Sequence, residues 1–143
     1  MDDLVQWLGA QLDEDERIAH AASSGPWNAY AGPEMPWISK GELIHPVRTW
    51  ERMTGQPSIM TEAWFDSRFI AEWNPARVLR EIDAKRRLLD LHAPDVMGTH
   101  TSCTECGQGY EMHDWGPAYP CTTVRLLAMP YEARPGYREE WRP

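Results

Sequence analysis

The sequence has little cysteine, no long apolar run and no excess of positive charge, and each shortage closes off a class of protein. Three cysteines in 143 residues are too few, and odd in number, for the disulfide framework of a small secreted scaffold. No stretch stays apolar over the length that a bilayer span needs. Fourteen Lys and Arg face 22 Asp and Glu, a net charge of -8. That balance repels a polyanion, so sequence-independent nucleic-acid binding is disfavoured. HExxH, GxSxG, P-loop and GxGxxG patterns are missing, as are internal repeats and low-complexity segments. The opening MDDLVQWLGAQLDEDE is acidic from its second residue, the opposite of a secretory leader's basic start. The expected location is therefore the cytoplasm, where thiols stay reduced.

What is present reads as an ordinary globular chain. Hydrophobic residues make up 42% and charged ones 25%, which argues against wholesale disorder. The length suits a single domain over 1–143. Eight tryptophans let so short a chain bury much area with few residues.

Periodicity predicts four helices. Over residues 1–22, Leu4, Leu8 and Leu12 recur at every fourth position, with Val5 and Ile18 widening the stripe, Asp2 or Asp3 as cap, and Asp13, Asp15, Glu16 and Arg17 opposite. From 27 to 60 prolines and glycines are too dense for a helix. Short strand-like pieces at 27–30, 37–39, 43–44, 47–50 and 58–60 suggest a small antiparallel meander. His45 sits among them without converging partners. A second helix is expected to about Trp73, with Phe65, Phe69 and Trp73 as a core stripe. Asn74 and Pro75 are suited to cap and begin a third, running to about Leu91 with Val78, Leu79, Ile82 and Leu89 on one face. A short fourth helix follows Cys121, with Thr122 as its expected cap and Pro130 beyond its end. The polar tail from Tyr131 carries Tyr137 and Trp141 and can dock against the body.

The chemistry-bearing residues crowd into one stretch, His92 to Cys121. It holds all three cysteines, Cys103, Cys106 and Cys121, and three of the five histidines, His92, His100 and His113. Cys103-Thr-Glu-Cys106 is a CxxC turn whose two sulfurs can share one ion, with Gly107 easing the bend behind them. Cys121, at a helix start that favours a thiolate, would be a third ligand. Zinc's tetrahedron leaves one place for a histidine. Spacing permits His92 and His113 equally, and His100 only through a tight loop. A redox CxxC fits less well, because no strand feeds a helix through the motif. Four protein ligands would close the site and make it structural. A catalytic site would keep an open position beside a carboxylate such as Glu105 or Glu111, and the deaminase order of elements is absent. Arg77, Arg80, Lys85, Arg86 and Arg87 form a basic run, read first as a solvated helix face.

Three blocks carry a resemblance to a family: MDDLVQWLGAQLDEDERIA, NPARVLREIDAKRRLLDLHAP and YPCTTVRLLAMPYEARPGYREEWRP, with a CxxC between the last two. Together they resemble the actinobacterial and phage-associated proteins grouped as domain of unknown function 6221. SSGPW and FDSRFIAEWNPARVL also look like small phage-encoded proteins. The resemblance implies a histidine after the long helix, matching His92, and so favours His92 over His113 as the fourth ligand. The chain departs from the pattern at Trp73, where the family often has histidine, and residues 28–60 have no clear counterpart in it. No activity comes with the family.

The expectation is an α+β fold: a helix over 1–22, a small antiparallel sheet over 27–60, and a helical half over 61–143 with a zinc-stapled loop. The expected cofactor is Zn2+ held by Cys103, Cys106, Cys121 and His92, with no catalytic residues. The expected role is a cytoplasmic, non-enzymatic interaction or regulatory module with a protein partner, no membrane and no nucleic acid. The alternative is a metal-dependent hydrolase or nucleic-acid-modifying enzyme with an open zinc site.

Overall fold

A computed structural model describes residues 3–22, 27–29, 43–45, 58–60, 64–107 and 117–143. The fold is α+β. Among the described residues the order is α1 (Asp3–Ala21), β1 (Asn28–Ala29), β2 (Leu43–His45), β3 (Ser58–Met60), α2 (Trp64–Glu72), α3 (Pro75–Leu91), β4 (Pro94–Met97), β5 (His100–Cys103) and α4 (Thr122–Ala128). Two 3-10 turns follow, Met129–Tyr131 and Glu139–Trp141. No helix among the described residues is long and apolar enough to cross a membrane. The chain divides into two compact units, residues 1–15 with 82–143, and residues 16–81.

In the first unit the four-residue leucine period does what periodicity demands. Leu4, Leu8 and Leu12 are all fully buried, each contributing about 2 kcal/mol of apolar burial. Ile82, Val124, Ala128, Tyr131 and Trp141 are buried too. The tail docks: Trp7 meets Trp141 with ring centroids 5.3 Å apart and Tyr137 at 5.6 Å. Its indole N–H donates to the Pro135 carbonyl at 3.1 Å. Asp3 lies in the first turn of α1 and pairs with Arg138 at 3.0 Å; Asp2 falls outside the described residues. Asp15, expected on a solvated face, is instead partly buried and paired with Arg134.

The antiparallel sheet is β4–β5, with Met97 opposite His100 and Pro94 opposite Cys103. This stretch, expected as part of a loop, is a β-hairpin. Gly98 makes the hairpin: its φ of 63° is what the first position of a tight two-residue hairpin turn requires.

In the second unit, β1, β2 and β3 pair in parallel, Asn28 with Leu43 and Ile44 with Ile59. The antiparallel meander expected over 27–60 is thus corrected. Antiparallel neighbours can be joined by two-residue turns, whereas parallel ones need a crossover of a dozen or so residues. The segments 30–42 and 46–57 are of that length. Strand pieces expected at 37–39 and 47–50 lie outside the described residues. Helix α2 runs beside β1 and β2. Asn74 joins it to α3 as expected: its side chain accepts from the Arg77 amide at 3.2 Å and donates to the Ala71 carbonyl at 2.9 Å. The expected core stripe is corrected at Phe69 and Trp73, while the side chain of Phe65 lies outside the described residues. Phe69 is 63% exposed and Trp73 43%; their rings lie 6.0 Å apart, and the Arg77 guanidinium sits 4.1 Å from the centre of the Trp73 ring. Ile18 is likewise exposed on α1. A period of four marks a face without saying whether that face is covered.

Candidate metal centre

Four elements bring four donors together. Helix α3 ends at Leu91, and His92 follows it, its amide still bonded to the Leu88 carbonyl at 3.0 Å. Strand β5 ends at Cys103, which is fully buried. The chain then turns through Thr104 and Glu105 to Cys106 and Gly107. In that turn the Gly107 amide donates to the Cys103 carbonyl at 2.7 Å, and the Cys106 amide points at the Cys103 sulfur at 3.5 Å. A Cβ on Gly107 would meet the Cys103 carbonyl oxygen at 2.8 Å. Glycine is therefore required there for close approach, not for a left-handed backbone.

Thr104 fastens the turn to the long helix. Its amide donates to the Ala93 carbonyl at 2.9 Å and its hydroxyl to the Leu91 carbonyl at 2.8 Å, satisfying one of the carbonyls a helix end leaves open. No local signal marks Thr104 in the sequence, because the bond exists only once the hairpin has folded back on α3.

Cys121 arrives from the other side. Tyr119 donates its amide to the Thr101 carbonyl at 3.0 Å, and Ala118 bridges Ser102, so the approach runs alongside β5. The Tyr119–Pro120 peptide is cis. Cys121, not Thr122, is the N-cap of α4, with φ -67° and ψ 166°. The correction has a simple cause: the extended residue is the cysteine, and Thr122 already belongs to the first helical turn.

The donor atoms converge. The Nδ1 atom of His92 lies 3.3 Å from the Cys103 sulfur, 3.5 Å from that of Cys106 and 3.6 Å from that of Cys121. All four ligand atoms lie within 4.8 Å of one another. A tetrahedral site with metal–sulfur bonds of about 2.3 Å and metal–nitrogen bonds of about 2.0–2.1 Å has a nitrogen–sulfur edge of about 3.6 Å. The group can hold a metal ion.

The electrostatics oppose ionisation of all three thiols together. The Cys106 thiol is pushed up to about 12, first by burial and then by the Cys103 and Cys121 sulfurs beside it. Burial also works to raise Cys121, but the amides of Val124 and Thr123 and the neighbouring sulfurs outweigh it, and the net shift is downward. Those amides face the sulfur without making a cap hydrogen bond. Three thiols this close cannot all ionise without a positive charge among them.

Of the other candidate residues, His100 stands beside the hairpin turn. It is three positions along the strand from Cys103 and hence on the opposite face, and it is not part of the cluster. His113 and Glu111 fall outside the described residues, and Glu105 is exposed. In the basic run, Arg77 pairs with Glu81 at 3.0 Å, Arg86 with Asp13 at 2.7 Å and Arg87 with Asp83 at 2.9 Å, while Lys85 donates to the Tyr131 hydroxyl at 3.2 Å.

No curated protein and no solved structure matches the chain. A family does, over residues 1–143, which corrects the expectation that residues 28–60 have no clear counterpart in it. The chain belongs to the family of unknown function DUF6221.

Proposed function

We propose that this protein is a small cytoplasmic zinc-binding module that acts by interaction and not by catalysis, its zinc held structurally by His92, Cys103, Cys106 and Cys121. The observation that carries the reading is the set of His92-to-sulfur separations, 3.3 to 3.6 Å, which are close to the nitrogen–sulfur edge a thiolate–imidazole tetrahedron would have. Three thiolates and one imidazole suit zinc and exclude the hard, oxygen-seeking cations. Four protein donors fill a tetrahedron and leave no position for water or substrate, which favours a structural ion over a catalytic one. Zinc here would join the end of α3, the β4–β5 hairpin and the start of α4, so that metal binding would add its free energy to the folding of this region.

Cobalt(II) replacement tests the closed site. The reading expects the strong visible bands of a tetrahedral, thiolate-rich ion, unchanged when cyanide or azide is added. Bands that shift with added anion would reveal an open position and sink the structural reading in favour of a metal-dependent enzyme.

A further inference from the structure

The three sulfurs of the centre differ in how solvent reaches them. Cys103 is fully buried and Cys121 is 2% exposed, whereas Cys106 is only half-buried. A sulfur on a metal stays an unprotonated nucleophile, so access decides which one reacts. We propose that Cys106 is a modification site for hydroperoxides, with Cys103 as the resolving thiol, and that their reaction opens the metal centre. This inference rests on the zinc reading.

The chemistry closes with one named co-reactant. The Cys106 thiolate attacks a peroxide oxygen; a sulfur–oxygen bond forms, the oxygen–oxygen bond breaks, and the leaving oxygen takes a proton from water. The Cys103 thiolate then attacks the Cys106 sulfenic sulfur. A sulfur–sulfur bond forms, the sulfur–oxygen bond breaks, and the departing hydroxide takes a second proton. Two thiolates lose two electrons and the peroxide gains them. Cys103 is the resolving partner because it shares the turn: the Cys106 amide already points at its sulfur at 3.5 Å, and closing the ring needs no movement of another element. Cys121 sits on α4, with the amides of Thr123 and Val124 facing its sulfur. Once Cys103 and Cys106 are joined, only His92 and Cys121 remain as donors, too few for a tetrahedral ion. The metal leaves, and α4 is no longer tied to the turn.

Hydrogen peroxide titration of the metal-loaded full chain tests this, with released metal followed by a chromogenic chelator, free thiols counted and peptides mapped by mass. The expected result is release of about one metal equivalent as two thiols disappear, a Cys103–Cys106 cross-link two hydrogens lighter, and Cys121 still free. Thiol reductant with added zinc restores the original state. Cys121 in the cross-link, or metal retained while peroxide is consumed, overturns the inference and leaves the zinc reading standing. Protein without metal before any peroxide is added overturns both. Limited alkylation of the loaded protein is a second readout: Cys106 is labelled first, and first labelling at Cys121 contradicts the assignment.

Discussion

The Thr104 hydroxyl donates to the carbonyl of Leu91 at 2.8 Å, so the metal-binding turn and the last turn of the long helix are fastened together one residue away from both His92 and Cys103. That bond spans the base of the candidate centre. Thr104→Val keeps the shape and removes the donor. The bond is exposed, so the expected loss is about 0.5–1 kcal/mol of stability, with faster metal loss to a chelator. Thermal melts and chelator-exchange rates check it; a variant indistinguishable from wild type in both would show that the bond carries nothing.

Gly107 has no such tolerance. The added methyl in Gly107→Ala would sit 2.8 Å from the Cys103 carbonyl oxygen, and the obstacle is backbone, which cannot swing aside. A shift of the turn costs about 1–3 kcal/mol, read as a metal affinity about tenfold to a hundredfold weaker in competition with a calibrated chelator. Unchanged affinity would mean that the turn is looser than its 2.7 Å amide-to-carbonyl bond suggests.

The pH dependence should run in opposite directions with and without metal. In the metal-free fold the Cys106 thiol is raised from 9.0 to about 12, chiefly by burial. Its contribution to stability is complete below pH 9 and is lost as pH climbs towards 12, because the unfolded chain gives up that proton first. Metal binding needs the thiolates and releases their protons, so affinity rises with pH over the neutral range. Denaturation of metal-free protein between pH 9 and 11, set beside zinc affinity between pH 6 and 8, checks both signs. Metal-free stability that rises in alkali would contradict the placement of Cys106.

The tail gives a prediction independent of metal. Gly136 has φ 87°, and a Cβ there would meet the Trp7 indole nitrogen at 2.9 Å. Gly136→Ala therefore strains the backbone and pushes on the indole that holds Pro135. The expected cost is about 1–3 kcal/mol. Trp141→Ala, at a site 6% exposed, costs about 3–5 kcal/mol. Melting curves and near-ultraviolet dichroism of the tryptophans report both, and wild-type melting in Trp141→Ala would mean that the tail does not dock.

The sequence made some of this legible and concealed the rest for physical reasons. Leu4, Leu8 and Leu12, and Asn74 before Pro75, are local signals read by local rules, and they hold. Residues of the candidate centre also announced themselves, because thiols and imidazoles clustered in 30 residues have few other uses. Choosing among the histidines needed more than spacing. His100 is nearer to Cys103 in sequence than His92 is, yet strand alternation turns it to the other face. The β4–β5 hairpin was hidden by short, polar strands whose only strong marker is Gly98. The parallel pairing of β1, β2 and β3 depends on partners far apart in sequence, which no window of a few residues contains. Phe69 and Trp73 show the remaining gap: periodicity names a face, and burial depends on what else the chain puts there.

Zinc bound through one histidine is tested most directly by elemental analysis of untagged protein beside its His92→Ala, His100→Ala and His113→Ala variants. About one zinc per chain in the wild type, kept in the His100 and His113 variants and lost in His92→Ala, is the predicted result. Wild-type protein without metal, or a His92→Ala variant that keeps its full zinc, would contradict it.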